Sequence, residues 1–197
     1  MANMCDTQFI ITCGSKEPIM NLWESMKELG AEKGYMPLHQ LAEHYGIDYE
    51  KKCISVRGHV YWADIEANEE DDLYKLSFDV ESAWSPTIEL FEEIDSKLGE
   101  LFNIHYRAIE CGCDIFIVHD PTYLFFPEEA CVSSTGNPFE DCLEDCFDTV
   151  ADAINHWSSI MGISQGDRTE DEMLDYINGF EYDDENTYFY INRFVFE

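Results

Sequence analysis

The sequence predicts an α+β fold in which an antiparallel sheet carries helices on one face. Runs of alternating apolar and polar residues, which are typical of strands, are interrupted by runs with helical spacing. Over residues 8–118 these runs follow the order strand, helix, strand, strand, helix, strand, with one further strand at the end. This is the βαββαβ order of a ferredoxin-like sandwich. The 197 residues are 45% hydrophobic, which is enough to build a core.

The first strand and the first helices are bounded by glycine and proline. Residues 8–13 are rich in β-branched side chains and predict a strand. Apolar residues then recur at helical spacing and predict a helix over 17–29, with Pro18 near its start. A second short helix is predicted over 37–46, which begins at a proline and ends at a glycine.

Two long alternating runs predict a β-hairpin. They cover 53–66 and 73–84, and a short polar link, 67–72, joins them. The dipeptide Ser85–Pro86 then marks the start of a helix that extends to residue 98. Further strands are predicted at 101–109 and 113–118.

The remainder of the chain, 119–197, is predicted to be an acidic elaboration packed on the same domain as residues 1–118. Prolines and glycines make 119–138 a loop-rich crossing, and the apolar spacing of 139–161 predicts a long amphipathic helix. A shorter helix is predicted over 169–179 and a final strand over 187–196.

Three stretches resemble the YubB ferredoxin-like domain family. The opening MANMCDTQFIITCG is similar to the family's MANWCSN start, FDVESAWSPTIELFEEI to its AWSPP turn and helix, and LFNIHYRAIECGCDI to its next strand and turn. The resemblance covers about residues 1–118, with Met4 in place of tryptophan and Thr87 in place of the second proline. It implies the same fold and a mobile-element context, but no catalytic residues.

The net charge restricts the classes of function. Lysine and arginine number 11 and aspartate and glutamate 42, a net charge of −31. Such a chain repels nucleic acid and anionic membranes over most of its surface. Direct binding of DNA or RNA is therefore disfavoured unless a local patch or a metal reverses the charge, and an enzyme that acts on anionic substrates is disfavoured as well.

Acidic residues recur one turn apart in the predicted helix over 139–161. Glu140, Glu144, Asp148 and Asp152 have i, i+4 spacing, which places successive carboxylates about 6 Å apart along a helix face. Like charges at this spacing destabilise a helix by roughly 0.2–0.5 kcal/mol per pair. A purely structural helix would interleave lysines, and this one has none. The spacing is commensurate with the charge spacing of a nucleic-acid backbone.

The imbalance extends beyond this segment. Residues 109–197 carry 21 acidic and two basic residues, whereas residues 1–108 carry 21 and nine. A solvated surface or salt adaptation would explain one acidic segment, but three clusters, at 64–72, 140–152 and 170–185, favour charge-driven binding. The predicted partner-binding residues are Glu140, Asp141, Glu144, Asp145, Asp148, Asp152, Glu170, Asp171, Glu172, Asp175, Asp183, Asp184 and Glu185.

The cysteines do not predict a metal site or a disulfide framework. No export signal opens the chain, so we expect a cytoplasmic protein whose eight cysteines form at most one disulfide. Cys111 and Cys113 with His119, or Cys142 with Cys146, could supply metal ligands, but no C-x-x-C motif is present. The oxygen-rich segment 183–186 does not follow the EF-hand pattern. We therefore expect no metal and no cofactor.

Catalytic motifs are also missing from the sequence. The six histidines lie in no recognisable setting, and there is no G-x-S-x-G, H-E-x-x-H or phosphate-binding glycine loop. His59 and His105 lie in predicted strands, where histidines are more often structural. With 42 acidic residues, any one carboxylate pair is uninformative about glycosidase chemistry.

The sequence thus favours a non-enzymatic inhibitor that imitates the charge of nucleic acid. Its expected partner is a basic nucleic-acid-binding protein, such as a CRISPR effector or another host defence protein. Tyr182, Tyr188 and Tyr190 are expected to be exposed anchors beside the acidic residues. Two alternatives remain open, a general protein-interaction module of a mobile element and a small enzyme of unknown chemistry. We expect no direct binding to nucleic acid or to a membrane.

Overall fold

A computed structural model describes residues 3–68 and 73–197. The chain divides into two compact units between Phe125 and Phe126, a few residues beyond the predicted boundary at residue 118. Each unit has its own hydrophobic core. No helix within the described ranges is both long enough and apolar enough to cross a membrane.

The described residues of the first unit form a mostly antiparallel sheet and four helices. Its strands are β1 (Met4–Cys13), β2 (Met36–Pro37), β3 (Gly58–Asn68), β4 (Leu73–Ala83), β5 (Asn103–Glu110) and β6 (Ile115–His119). Its helices are α1 (Lys16–Glu28), α2 (Leu38–His44), α3 (Tyr49–Lys52) and α4 (Ile88–Leu98), and a 3-10 turn covers Ala31–Lys33.

Within this unit the strands lie in the order β6-β5-β1-β4-β3-β2, and every neighbouring pair is antiparallel. The predicted hairpin is confirmed, because β3 pairs with β4 along its whole length apart from a register shift between Val60 and Trp62. Residues 53–57, predicted as strand, lie instead between α3 and β3. Most of the predicted hairpin link, 69–72, falls outside the described residues.

Alternation along β1 divides the sheet into a core face and an outer face. Phe9 and Ile11 are buried, whereas the intervening Ile10 is partly exposed. Phe9 packs against Phe78 and Phe91, with ring centroids 5.0 and 4.7 Å apart. Helices α1 and α4 bury their apolar residues in the same core, as their helical spacing predicts.

The second unit combines a small sheet with two helices. Strands β7 (Ala130–Thr135), β8 (Cys142–Phe147) and β9 (Tyr188–Arg193) form an antiparallel sheet in the order β8-β7-β9. The other elements are α5 (Val150–Met161), α6 (Glu170–Asn178) and the two-residue strand β10 (Val195–Phe196). The predicted helix over 169–179 and the strand near the end of the chain are confirmed.

The predicted helix over 139–161 is wrong in its first half. Residues 142–147 form strand β8, and α5 begins only at Val150, where the Thr149 side chain accepts a hydrogen bond from the Asp152 backbone N–H. Pairing with the buried strand β7 supplies the backbone hydrogen bonds that a helix would otherwise have made. Strand β7 itself lies within 119–138, for which the sequence predicts a loop.

Candidate functional site

The thirteen predicted carboxylates all lie in the second unit, and all are exposed. Residues 126–197 contain 18 acidic and two basic residues, a net charge of −16. The prediction that these side chains face solvent is therefore confirmed. The predicted helical stripe through Glu140, Glu144, Asp148 and Asp152 is wrong, because only Asp152 lies on a helix.

The first group of carboxylates follows an edge strand rather than a helix face. Glu144 and Asp145 lie on β8, while Glu140, Asp141 and Asp148 flank it. Successive side chains of a strand point to opposite faces, so Glu144 and Asp145 project in opposite directions. The group therefore holds five carboxylates within nine residues of mostly extended chain.

Both basic residues of the second unit are already engaged. Arg193 Nη2 lies 2.7 Å from the carboxylates of Glu170 and Asp171, which raise the pKa of the guanidinium. The Arg168 guanidinium lies 4.3 Å from the Tyr176 ring centroid, and its Nη1 donates to the Gln165 carbonyl. Neither side chain neutralises the carboxylates around β8.

Several predicted carboxylates have structural roles. Glu172 completes a capping box at the start of α6 with Thr169, and Asp152 accepts a hydrogen bond from the Thr149 hydroxyl at 2.6 Å. Hydrogen bonds from Thr135 and from the Gly136 backbone lower the pKa of Asp141. The backbone and side-chain amides of Asn186 likewise lower the pKa of Asp184. These four groups hold turns and helix ends.

The remaining carboxylates are better placed to meet a partner. Glu144 lies on the exposed edge strand, and the side chains of six others make no hydrogen bond or ion pair within the described part of the chain. These six are Glu140, Asp145, Asp148, Asp175, Asp183 and Glu185. Half of them lie beside β8 or on it.

A hollow of about 550 Å³ opens beside β8, and three predicted carboxylates line it. Glu140, Asp141 and Asp145 form its acidic wall, and Phe139 and His156 contribute ring surfaces. The described lining contains no lysine or arginine. Carboxylates beside aromatic rings can receive a guanidinium or ammonium group, through charge and cation–π contact.

The predicted tyrosine anchors have different exposures. Tyr190 is 45% exposed, and its ring stacks on Tyr188 with centroids 5.4 Å apart. The predicted exposure of Tyr182 and Tyr188 is wrong, because both side chains are partly buried. The Tyr182 hydroxyl also accepts a hydrogen bond from Trp157 Nε1 at 2.8 Å. The sequence gives no sign of this contact, which joins residues 25 positions apart.

A second acidic group, which sequence reasoning missed, lies on the outer face of the first unit's sheet. The Tyr61 hydroxyl donates to both carboxylate oxygens of Asp6, at 3.0 and 2.9 Å. Burial, with the nearby Asp6 charge, raises the pKa of Asp79 to about 6, although Arg107 opposes the shift. Burial also raises the pKa of Asp6. Asp6 and Asp79 lie on adjacent strands, and only the register of β1 with β4 brings them together.

The described residues contain no group of three or more histidine, cysteine or acidic side chains arranged to hold a metal ion. The eight cysteines are thiols, of which Cys5, Cys13 and Cys131 are buried. No family model, curated protein or solved structure matches this chain.

Proposed function

We propose that this protein is a non-enzymatic inhibitor that imitates the charge of a nucleic acid and binds a basic nucleic-acid-binding protein. The observation that carries the proposal is the hollow beside β8, which is lined by Glu140, Asp141 and Asp145 and has no lysine or arginine in its described lining. A lysine or arginine of a partner would enter this hollow. The exposed carboxylates around it would then face neighbouring basic residues of the partner.

Charge density supports this function. An extended chain rises about 3.3 Å per residue, so five carboxylates within the nine residues 140–148 place one charge about every 6 Å. A nucleic-acid strand carries one charge per roughly 3.4 Å of helix axis. The segment therefore carries more than half the charge density of a single strand, and the two basic residues of its unit, Arg168 and Arg193, are engaged elsewhere.

We further interpret the neighbouring strands β5-β1-β4-β3 as a ferredoxin-like core. With the resemblance of residues 1–118 to the YubB ferredoxin-like family, this interpretation suggests a protein of a mobile element. A CRISPR effector or another host defence protein, acting in the cytoplasm, is then the partner of first choice.

A specific observation favours the alternative of a general interaction module. Strand β8 lies at the edge of its sheet, and charged residues on edge strands prevent unwanted pairing with other chains. Glu144 and Asp145 would serve that purpose without any nucleic-acid mimicry. The experiment must therefore distinguish binding through the carboxylates beside β8 from binding through the net negative charge of the whole protein.

The test neutralises three carboxylates that hold no turn or helix end, with Glu140→Gln, Asp145→Asn and Asp148→Asn combined in one variant. The matched control is Glu28→Gln, Glu43→Gln and Glu50→Gln, three exposed acidic residues of the first unit, with the same change in net charge. Each protein competes with a labelled target duplex for purified CRISPR nuclease–guide complexes, at salt concentrations from about 0.05 to 0.5 M.

We expect the native protein to displace the duplex, with an affinity that falls steeply as salt rises. Exposed ion pairs contribute roughly 0–1 kcal/mol each, so the β8 variant should bind about tenfold more weakly and the control almost normally. If both variants bind equally weakly, the affinity depends on net charge alone and not on the carboxylates beside β8. Binding that ignores salt would favour an interaction module without mimicry.

A further inference from the structure

A buried histidine–aspartate pair closes one end of a cavity in the first unit. Register places Asp120 opposite His105, one step beyond the last paired residues of β5 and β6, Tyr106 and His119. The His105 Nδ1 lies 3.0 Å from Asp120 Oδ1, and the two side chains are only 6% and 0% exposed. The prediction that His105 is a structural strand histidine accounts for this pairing but not for the cavity in front of it.

Asp120 fixes the orientation of the histidine ring. It accepts hydrogen bonds from the Thr122 hydroxyl at 2.6 Å and from the Phe125 backbone N–H at 2.7 Å, which hold the turn after β6. The Phe125 ring lies edge-on to the His105 ring, with centroids 4.8 Å apart. The imidazole is therefore held by a hydrogen bond on one side and a ring contact on another.

The tautomer of His105 follows from its partner. A carboxylate only accepts hydrogen bonds, so Nδ1 carries the hydrogen and Nε2 of the neutral ring keeps a lone pair. Burial lowers the pKa of His105, although the charge of Asp120 opposes this shift. The neutral ring thus has one strong acceptor, Nε2, which is the ring nitrogen that does not face Asp120.

The cavity has a volume of about 540 Å³, which is in the range of small-molecule sites. Its walls are mainly apolar, with Phe102, Ile104, Leu124 and Phe125 around His105. The described lining contains no lysine, arginine, aspartate or glutamate, so neither an anion nor a cation finds a countercharge there. Its polar groups are few and include Asn103 and His119 beside His105. A mainly apolar chamber with a buried, oriented acceptor suits a neutral ligand that carries a hydrogen-bond donor.

We propose that this cavity binds a small uncharged apolar molecule with a hydroxyl group, which donates a hydrogen bond to His105 Nε2. The site is suited to binding rather than to covalent catalysis. Of the two hydroxyl groups in its lining, Thr122 donates to Asp120, and Thr12 accepts a hydrogen bond from Asn103 Nδ2 at 3.5 Å. The proposal concerns the first unit alone and does not depend on the acidic surface of the second.

The test compares two probes of nearly the same shape, 4-propylphenol and its methyl ether 4-propylanisole, which lacks the donor. Binding to the full chain is followed by NMR, with the ¹⁵N shift of His105 Nε2 as the readout of the hydrogen bond. We expect the phenol to bind at least tenfold more tightly than the ether and to shift the Nε2 resonance. A structural histidine would show neither effect.

Two variants locate the probe. Leu124 lines the cavity and is 76% exposed, so Leu124→Ala should weaken both probes several-fold without unfolding the protein. Leu101→Ala is the matched control, because Leu101 is 48% exposed and is not part of the cavity lining. It should leave both affinities unchanged.

His105→Asn keeps a donor for Asp120 but removes Nε2, so it should abolish the preference for the phenol. Equal affinity of the native protein for the two probes would overturn the proposal, as would failure of the phenol to bind at millimolar concentration. The comparison of probes on the native chain decides the question even where His105→Asn does not fold.

Discussion

Asp79 lies on the outer face of the first unit's sheet, with Asp6 on the neighbouring strand β1. Burial and the Asp6 charge raise its pKa from 3.8 to about 6. A carboxyl group whose pKa is higher in the folded chain favours folding fully below its unfolded-state pKa of 3.8, where it is protonated in the folded and in the unfolded chain. This contribution is lost as the pH rises through the folded-state pKa near 6, because the ionised carboxylate is better solvated in the unfolded chain.

Replacement of Asp79 by asparagine should therefore stabilise the protein at neutral pH. The full shift would correspond to about 3 kcal/mol, but partial exposure of the side chain reduces the expected gain to about 1 kcal/mol. The free energy of unfolding in urea, measured from about pH 3.5 to 8, checks this. The gain should be absent near pH 3.5 and complete above about pH 7.

The control is Asp64→Asn on the adjacent strand β3, where Asp64 is exposed and pairs with Ser77. It should change stability little at any pH. A gain for Asp79→Asn that is as large near pH 3.5 as near pH 8 would contradict the ionisation argument and point to packing instead.

Individual side chains show where sequence reasoning about the site reaches its limit. The exposure of all thirteen carboxylates was predictable, since unpaired charges rarely enter a core. The contacts of Asp79 and Tyr182 were not, because each depends on residues that are distant in sequence and adjacent only through register or packing. The same holds for the pairing of His105 with Asp120.

Among the elements, α6 has the clearest local determinants. The Thr169 hydroxyl accepts from the Glu172 backbone N–H at 3.2 Å, and Glu172 Oε2 accepts from the Thr169 backbone N–H at 2.8 Å. This reciprocal pair satisfies backbone donors that the first turn of a helix leaves unpaired. It also explains why the sequence locates this helix within about one residue at each end.

We expect Thr169→Ala to destabilise the protein by about 1 kcal/mol, since the alanine cannot accept the hydrogen bond from Glu172. Thr169→Ser should retain most of the stability, because serine keeps the hydroxyl. Urea unfolding followed by circular dichroism measures both. Ser164→Ala, at an exposed position outside the helix, is the control, and a loss there as large as at Thr169 would argue against a capping effect.

Strand β8 shows why the sequence predicts too long a helix over 139–161. Phe139, Leu143 and Phe147 have helical spacing. The segment 142–147 also fits a strand, in which Cys142, Glu144 and Cys146 would lie on one face and the residues between them on the other. Local periodicity could not choose between the two. The neighbouring strand β7 decided the choice, because pairing with β8 satisfies the backbone groups of both.

At the scale of the whole molecule, a net charge of −31 makes the compact chain repel itself. Salt should therefore stabilise it. We expect the melting temperature to rise by several degrees between about 0.02 and 0.5 M sodium chloride, as the Debye length falls from about 20 to about 4 Å. Differential scanning calorimetry gives the measurement.

A fall of the melting temperature with rising salt would contradict this expectation. Surface ion pairs such as Lys52–Glu93, at 2.6 Å, and Lys75–Glu66, at 2.9 Å, weaken as salt rises. A melting temperature that falls with salt would show that these few attractions outweigh the general repulsion. Sucrose at matched osmolarity controls for effects on hydration, since it carries no charge.

The order of the longer elements in the first unit was largely predictable, because they carry a clear period and several are bounded by glycine or proline. The short elements β2 and α3 carry no period and were not predicted. The charge balance shifts along the chain, but the separate core of the second unit was not predictable, since no linker or repeat separates the two units. The two cores are defined only by the packing of the folded chain, in which Trp23 belongs to the first core and Trp157 to the second.

These two tryptophans give each unit its own fluorescent reporter. Trp23 is 8% exposed in the first core and Trp157 is fully buried in the second, whereas Trp62 and Trp84 are 47% and 46% exposed. Acrylamide will therefore quench the latter pair selectively, and the blue-shifted emission that remains will come from the two cores. Replacing one buried indole with phenylalanine isolates the emission of the other. Two separate red shifts of the emission maximum during unfolding would then show that the cores become exposed to solvent one after the other, and a single shift that they do so together.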